Sequence, residues 1–345
     1  MSFGEVNPEL IPGLPEELAL ECLTRLHHTT HRHAAGVCRR WRELLQSKDF
    51  YHQRKQNGHT RLTACLVQSV QDASSPDWCK PVGPPNYRIT IFDPVSGSWS
   101  RVGPVPKCPN GLPLFCQVTS SEGKLIVIGG WDSTTFRPVR DVFVYDFMVQ
   151  RWRKGKDMPE TRSFFAIGQL CGRVIVAGGH DHQKNALRTA WAYDVVQDEW
   201  TELSPMSQER DECEGVVVGS EFWAVSGYKT VSQGGFEGSA EVLNLGSGQW
   251  RRVEDAWKVG QCPRLRVKVG REGNLSNWAG YGPEAQGGMC AVQLDEWAFV
   301  SQSAYQGRPH GFFMLKEQSG KLEKRDVHVP VEFSGFVQYG CVLEI

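Results

Sequence analysis

Apolar residues at helical spacing mark the beginning of the chain. Over residues 14–26, LPEELALECLTRL, they recur every four positions and predict an amphipathic helix, with the set Leu14, Leu18, Cys22 and Leu26. A second helical pattern runs from Ala34 to Leu45, and Gly36 predicts a break within it. We expect a small all-α module of three helices over residues 10–55, followed by a polar linker over residues 56–60.

From residue 61 onward, short β-rich runs replace the helical pattern, and they recur. LIVIGGWD and VIVAGGHD carry glycine pairs 49 residues apart, and the segments that follow them end at Trp152 and Trp200, 48 residues apart. Looser copies end at Trp99, Trp250 and Leu322. A repeat of this length with four strands is typical of a β-propeller, because each small sheet is covered only by its neighbours. We expect an all-β propeller over residues 61–345, with five blades favoured and six possible.

The two ends of the repeat region predict how the ring closes. The first copy lacks an opening strand, whereas the C-terminal segment FSGFVQYGCVLEI resembles one. We therefore expect the last strand to complete the first blade, which leaves no exposed edge. The glycine pairs are expected near the crowded central channel, and the spaced Tyr and Trp residues between adjacent sheets. Residues 258–283 fit no copy, which keeps the blade count open.

Composition narrows the classes of partner. Lys and Arg total 38 against 39 Asp and Glu, so no global field attracts nucleic acid or an anionic membrane. No apolar stretch approaches the roughly 18 residues needed to span a bilayer, and the first residues lack the pattern of a secretion signal. We expect a protein of the cytoplasm, the nucleus or both, without nucleic-acid or membrane partners.

The residue patterns favour neither a metal, a cofactor nor catalysis. The cysteines show no C-x-x-C spacing, and the glycine pairs lack the Lys-Ser/Thr of a phosphate-binding loop. Four histidines without a nearby cysteine are interpreted as a solvated polar connector rather than a zinc site: His27, His28, His31 and His33. No Ser/His/Asp, Cys/His or paired-carboxylate set is supported by motif spacing. We predict a non-catalytic protein without a cofactor.

The chain resembles two known families, one in its helical part and one in its repeats. LPEELALECLTRL followed by VCRRW resembles the F-box, and the glycine pair, the Tyr-Asp and the spaced Trp of the repeats resemble kelch motifs. Their order resembles the plant F-box/kelch-repeat family, and the opening ELIPGLPEELALECL resembles members that target phenylalanine ammonia-lyase. The resemblance implies a small all-α F-box module followed by an all-β kelch-type propeller.

The resemblance also implies a function. Such a protein is the substrate-recognition subunit of a Skp1, cullin and F-box (SCF) ubiquitin ligase, and it directs a target to ubiquitination and proteasomal degradation. With phenylalanine ammonia-lyase as the target, it would lower phenylpropanoid synthesis. Type-B cytokinin response regulators and chalcone synthase are alternative targets. A kelch scaffold or a propeller enzyme without a ligase role is the alternative class.

The family's adaptor surface is carried over residue by residue. Through a Skp1-like adaptor the F-box would reach cullin. The residues that match F-box positions contacting this adaptor, or shaping the surface, are Ile11, Pro12, Leu14, Pro15, Leu18, Cys22, Leu23, Val37, Cys38 and Trp41.

Substrate contacts are expected in loops at one rim of the propeller. Arg162 and Arg210 lie 48 residues apart, at equivalent points of two repeats, and they either pair an acidic segment of a target or hydrogen-bond a carbonyl between blades. Large side chains in the loops after the glycines either pack locally or meet a partner. The predicted substrate residues are Trp131, Phe136, Arg137, Arg162, His180, His182, Arg210, Tyr228 and Phe236.

Overall fold

A computed structural model describes residues 9–70, 85–108, 110–270, 272–278, 289–302, 311–318 and 321–345. Within these ranges the chain contains four α-helices and 22 β-strands. None of the helices in the described ranges is long and apolar enough to cross a membrane.

The N-terminal module contains one helix more than the periodicity predicts. Its helices are α1 (Glu16–Thr24), α2 (His31–Ala34), α3 (Arg39–Leu45) and α4 (Lys48–Gln56), and a 3₁₀ turn over His28–Thr30 precedes α2. The predicted break at Gly36 lies between α2 and α3. The side chains of Cys38 and Ser47 accept backbone N–H groups at the starts of α3 and α4, which satisfies donors that a helix leaves free. The Cys38 cap therefore starts α3 after the break, and the Ser47 cap separates α4 from α3.

The apolar spacing in α1 marks its outward face rather than its core face. Ala19 and Leu23 of this helix are buried in the module's core, together with Leu45 and Phe50. By contrast, the set that recurs every four residues is exposed at Leu14, Leu18 and Cys22.

Short strands follow in a regular order along the rest of the chain. They are β1 (Leu62–Ser69), β2 (Tyr87–Asp93), β3 (Ser98–Arg101), β4 (Gln117–Ser121), β5 (Lys124–Ile128), β6 (Val142–Asp146), β7 (Arg151–Gly155), β8 (Ala166–Leu170), β9 (Arg173–Ala177), β10 (Ala190–Asp194), β11 (Glu199–Leu203), β12 (Glu214–Val218), β13 (Glu221–Val225), β14 (Ala240–Asn244), β15 (Gln249–Val253), β16 (Val267–Val269), β17 (Leu275–Asn277), β18 (Met289–Leu294), β19 (Trp297–Gln302), β20 (Gly311–Gln318), β21 (Lys321–Asp326) and β22 (Val337–Glu344).

Among the described residues these strands form five four-stranded antiparallel sheets, which confirms the five-bladed propeller. The sheets are β22-β1-β2-β3, β4 to β7, β8 to β11, β12 to β15 and β18 to β21, and we number them blades 1 to 5. The first strands of neighbouring blades contact one another, as in β22 with β4 and β8 with β12, so they surround the central axis.

The segment that fits no repeat forms a small hairpin between blades 4 and 5. Strands β16 and β17 pair as a two-stranded sheet, and Val267 and Leu275 pack against Trp257 and apolar residues of blade 4. Trp278, directly after β17, is buried among residues of blade 5. Residue 271 and residues 279–283 of this segment lie outside the described ranges.

The last strand closes the ring, as predicted. Strand β22 pairs antiparallel with β1 from Leu62 opposite Glu344 to Gln68 opposite Val337. Beyond the strands, Arg61 and Ile345 exchange two backbone hydrogen bonds of 2.6 and 3.0 Å. Joining the two ends of the repeat region in one sheet removes the open edge that blade 1 would otherwise present.

Each repeated tryptophan connects its blade to the preceding one. The indole Nε1 of Trp200 in blade 3 donates to the Lys156 carbonyl after blade 2 at 2.9 Å, and the Trp152 indole donates to Gly103 at 2.8 Å. The rings of Tyr193 and Trp200, which lie opposite each other on β10 and β11 of blade 3, stack with centroids 4.9 Å apart. Trp99 and Trp250 make equivalent bonds.

Antiparallel pairing gives each blade two different ends. The turns β4–β5 and β6–β7, and their equivalents, lie at what we call the hairpin end. The connections that follow the glycine pairs, β5–β6 and β9–β10, lie at the opposite glycine-loop end. A Cβ on Gly130, whose φ is 94°, would lie 2.7 Å from the Leu114 carbonyl oxygen, so only glycine fits this approach of two backbones.

Candidate functional site

The helical module presents an apolar surface to solvent. Leu18 and Val37 are 55% and 63% exposed, and Leu14 is 37% exposed. Four neighbouring positions from the predicted adaptor set are also exposed, namely Pro12, Pro15, Cys22 and Cys38, whereas Ile11 is half-buried. Leu23 is buried and shapes this surface from beneath. Several exposed apolar side chains in one small module are typical of a site that binds a protein partner.

The V-C-x-x-W segment holds the start of the chain against the helices. Cys38 Sγ accepts the Trp41 backbone N–H at 3.4 Å, which places Trp41 in the first turn of α3. The half-buried Trp41 indole then donates to the Leu10 carbonyl at 2.6 Å. Trp41 therefore positions the residues that precede α1, among them Leu14 and Pro15.

The other side of the module rests on the hairpin end of the propeller. Lys48 pairs with Glu122 in the β4–β5 turn at 2.7 Å, and Lys55 pairs with Glu344 of β22 at 2.5 Å. Met148, from the β6–β7 turn, is buried within the core of the helical module. The predicted linker is also held, since Thr60 donates to Glu344 at 2.8 Å. The module is thus joined to blades 1 and 2 by ion pairs and by a shared apolar core.

One member of the histidine cluster differs from the predicted solvated connector, whereas His27 and His33 are exposed. His31 is fully buried, and burial lowers its pKa to about 4. Next to it, the buried Arg54 donates to the Thr24 and Leu26 carbonyls at 2.7 and 2.5 Å. His31 and Arg54 therefore belong to the structural core of the module. Within the described ranges, no group of three His, Cys, Asp or Glu side chains is placed to hold a metal ion.

Arg162 and Arg210 do not reach a partner at the rim, so their prediction as substrate contacts is wrong. Both side chains are fully buried. Arg162 Nη1 donates to the Gly178 and Thr189 carbonyls at 2.9 and 3.1 Å, within its own blade rather than between blades. Arg210 repeats this arrangement in blade 4. The alternative is right about the carbonyl acceptors and wrong about their place between blades, because these guanidinium groups satisfy acceptors that flank the glycine loop of their own blade.

Trp131, His180 and Tyr228 occupy equivalent positions after the glycines and pack locally. The Trp131 indole of blade 2 donates to Ser163 Oγ of the next blade at 2.6 Å. His180 Nδ1 of blade 3 likewise lies 2.8 Å from a carboxylate oxygen of Asp211 in blade 4, and the carboxylate can only accept. His180 and Tyr228 are buried, and Trp131 is half-buried. Trp131 and His180 therefore connect neighbouring blades, whereas the Tyr228 hydroxyl donates to Glu212 within blade 4 at 3.1 Å.

The remaining predicted substrate residues lie at the surface of the glycine-loop end. Phe136 is 56% exposed at the tip of the β5–β6 loop, with Arg137 exposed beside it. His182 is exposed in the β9–β10 loop of the neighbouring blade. Phe236 is half-buried and meets the Tyr228 ring with centroids 5.3 Å apart. Of the predicted set, Phe136, Arg137 and His182 are thus the most accessible to a partner.

The mouth of the central channel contains residues that the repeat pattern did not single out. Phe164 stacks on His180 and carries the Arg264 guanidinium 4.4 Å above its ring. Below them, Tyr339 donates to the buried Glu214 at 3.0 Å, and burial raises the pKa of this carboxyl group. Phe164 lies 49 residues after Phe115, with which it is also in contact, so the repeat spacing contained a signal for this pair.

Comparisons with known proteins agree with both parts of this architecture. A family model described as F-box domain matches residues 11–53, and one described as Kelch motif matches residues 114–159 and 161–207. The F-box/kelch-repeat protein At1g80440 of Arabidopsis thaliana is 40% identical over 385 residues, covering 98% of this chain and 100% of the relative. The F-box/kelch-repeat protein SKIP20 of the same plant is 37% identical, covering 95% of this chain and 83% of the relative.

Similarity to a solved structure supports the propeller fold, and only the fold. The structure titled "Structure of YjhT" superposes with a TM-score of 0.55 at 11% sequence identity, covering 69% of this chain and 91% of that one.

Proposed function

The chain belongs to the plant F-box/kelch-repeat family, and on that premise we propose that it is the substrate-recognition subunit of an SCF ubiquitin ligase. Proteins of this family are in general SCF substrate adaptors, whose F-box binds Skp1 and whose kelch repeats bind a protein substrate. In this role the chain holds a target for ubiquitination and carries out no chemistry itself.

The observation that carries this proposal is the exposed apolar surface of the helical module. One side of the module is covered by the propeller, while Leu14, Leu18 and Val37 stay open to solvent. A module serving only as a cap for the propeller would gain nothing from leaving these side chains in water, because each buried apolar side chain contributes about 1.5–3 kcal/mol. A separate apolar partner, the Skp1-like adaptor, accounts for them.

The two ends of the propeller separate the two binding events. The helical module sits at the hairpin end, whereas Phe136, Arg137 and His182 lie at the glycine-loop end. A target bound there would leave the adaptor surface free. Because the module shares a core and ion pairs with blades 1 and 2, a bound target would also keep a defined orientation relative to the ligase.

We propose phenylalanine ammonia-lyase as the target, and the cytoplasm, the nucleus or both as the location. The support for this target is the resemblance of ELIPGLPEELALECL to family members that act on the enzyme. Type-B cytokinin response regulators and chalcone synthase are the competing targets, and all of these candidates would use the same ligase role.

The adaptor proposal is tested by a double substitution on the exposed surface. Leu14→Ala with Pro15→Ala should abolish copurification of a Skp1-like protein and cullin, while the circular dichroism spectrum and unfolding midpoint stay those of the parent chain. Val196→Ala, an exposed apolar position in the β10–β11 turn, is the matched control and should keep full binding. Retained adaptor binding by the double variant would return the scaffold and enzyme alternatives.

A further inference from the structure

Two neighbouring loops at the glycine-loop end have bulky residues where glycine would be the least strained choice. Phe136 and Lys184 lie 48 residues apart in the β5–β6 and β9–β10 loops, and their φ angles are 51° and 63°. Only glycine adopts this left-handed conformation without steric cost. The corresponding loop of blade 4 has Gly234, with φ 78°. The backbone at Phe136 and Lys184 therefore carries a conformational cost that glycine would avoid.

Both loops are held in shape by an aspartate rather than left loose. Asp132 Oδ1 accepts the Thr134 and Thr135 backbone N–H groups at 3.0 and 2.6 Å. Asp181 accepts the backbone N–H groups of Gln183 and Asn185 in the same way, at 2.8 and 2.9 Å. Phe136 therefore projects its ring, 56% exposed, from an ordered turn. A rigid aromatic side chain loses little entropy when a partner covers it.

The same two loops carry exposed cations that form no ion pairs within the described part of the chain. The exposed basic side chains of the two loops are Arg137, Arg140, Lys184 and Arg188, and none forms an ion pair with a residue of the described ranges. The loop carboxylates are already engaged, Asp132 and Asp181 by backbone N–H groups and Asp141 by Lys154 at 2.9 Å. Four basic side chains against these three carboxylates give the two loops a net charge of +1, compared with −1 for the whole chain.

We propose that the β5–β6 and β9–β10 loops form the docking surface for an acidic peptide segment of the target that carries one bulky apolar residue. This inference rests on the proposed function, in which the glycine-loop end binds a protein. The apolar residue covers Phe136, and carboxylates of the segment pair with Arg137 and Arg188. Arginine and aromatic side chains together are the residues that most often dominate protein interfaces. The buried Arg162, to which this acidic recognition was first assigned, has no part in it.

The experiment uses the intact chain in complex with a Skp1-like adaptor and a phage-displayed library of random 16-residue peptides. Selection should enrich peptides that combine Asp or Glu with Leu, Ile or Phe. Phe136→Gly, and separately Arg137→Glu with Arg188→Glu, should each weaken the selected peptides at least about tenfold. Binding to the wild-type chain should also weaken as salt rises, since exposed charges are screened.

Matched controls separate recognition from folding. Phe136→Gly places glycine at a left-handed position, so its thermal midpoint should shift by less than about 4 °C. Arg173→Glu reverses an exposed charge at the hairpin end and should leave peptide binding unchanged. Failure of the selection to yield any peptide, enrichment of basic peptides, or equal binding by Phe136→Gly would each overturn the docking surface.

A parallel arm measures purified plant phenylalanine ammonia-lyase against the same variants. If both loop variants still bind the lyase, the target is right and the docking surface is wrong. Loop-dependent peptide binding without lyase binding would show the reverse. If the wild-type chain does not copurify with a Skp1-like protein, the ligase role itself is refuted.

Discussion

Replacing Arg210 by methionine tests whether this residue supports the fold or recognises a target. Its Nη1 donates to the Ser226 and Ser239 carbonyls at 2.8 and 3.0 Å, and its Nε lies 3.4 Å from the buried Glu241 carboxylate. Methionine fills the space of the stem but leaves two carbonyls and one carboxylate without this donor. Breaking a buried ion pair costs about 3–5 kcal/mol.

The surroundings of Glu241 favour the lower end of that range. Ser207 donates to this carboxylate through its backbone N–H at 2.6 Å and through its hydroxyl at 2.9 Å, so the charge keeps partners after Arg210 is removed. The single contact from Arg210 is long by comparison. We therefore expect Arg210→Met to lower the free energy of unfolding by about 3 kcal/mol. Adding Glu241→Gln should not recover this loss, because the two carboxylate oxygens accept backbone N–H groups of Ser207 and Gln208 and an amide nitrogen would face one of these donors.

Guanidinium chloride unfolding, followed by tryptophan fluorescence, measures this loss. The exposed Arg173→Met is the control and should change the midpoint little. Target capture by Arg210→Met should remain at wild-type level under conditions where the variant is folded. A variant with the parent midpoint and lost target capture would refute the structural role and restore Arg210 as a recognition residue.

Two further predictions concern the blade contacts and the helical module. Trp200→Phe removes the indole hydrogen bond to the Lys156 carbonyl while keeping an aromatic ring. Calorimetry should show a loss of about 1 kcal/mol in the free energy of unfolding. An unchanged value would mean that packing alone joins the blades. Burial lowers the pKa of His31 from the ordinary 6.5 to about 4, so the folded module favours the neutral ring. The stability that the neutral His31 ring contributes is complete above pH 6.5 and is lost as the pH falls towards 4. The free energy of unfolding should therefore decrease by about 2 kcal/mol between pH 7 and pH 5. His31→Gln should reduce this dependence in urea unfolding at the two pH values, and an unaltered pH dependence would contradict the assignment.

The propeller could be predicted from the chain because its repeats are spaced regularly. Glycine pairs and tryptophans nearly 50 residues apart predict units that cover one another, and the missing first strand predicts closure by the last. The structure agrees, with β22 beside β1 and Trp152 and Trp200 connecting successive blades. Only residues 258–283 escaped the pattern, because the β16–β17 hairpin has half the strands of a blade and no glycine pair to mark it.

The same spacing misled the prediction at Arg162 and Arg210. Repeat equivalence correctly placed both arginines beside the glycine loops, but it contains no information about the direction of a long side chain. The carbonyl groups of Gly178 and Ser226 need donors, and the guanidinium groups turn inward to supply them. Among the described residues, neither Arg137 nor Arg188 has such an acceptor, and both side chains are exposed.

By itself the sequence determined the order of the two modules, the blade repeat and its closure, because periodic apolar and glycine positions reflect local geometry. The tertiary structure alone decided which surfaces are free. It covered Ala19 and Leu23 of α1 and left Leu14 and Leu18 in water, and it buried His31 beside Arg54. Spacing along a helix or a repeat defines a face, whereas the elements packed around it decide whether that face is core or binding surface.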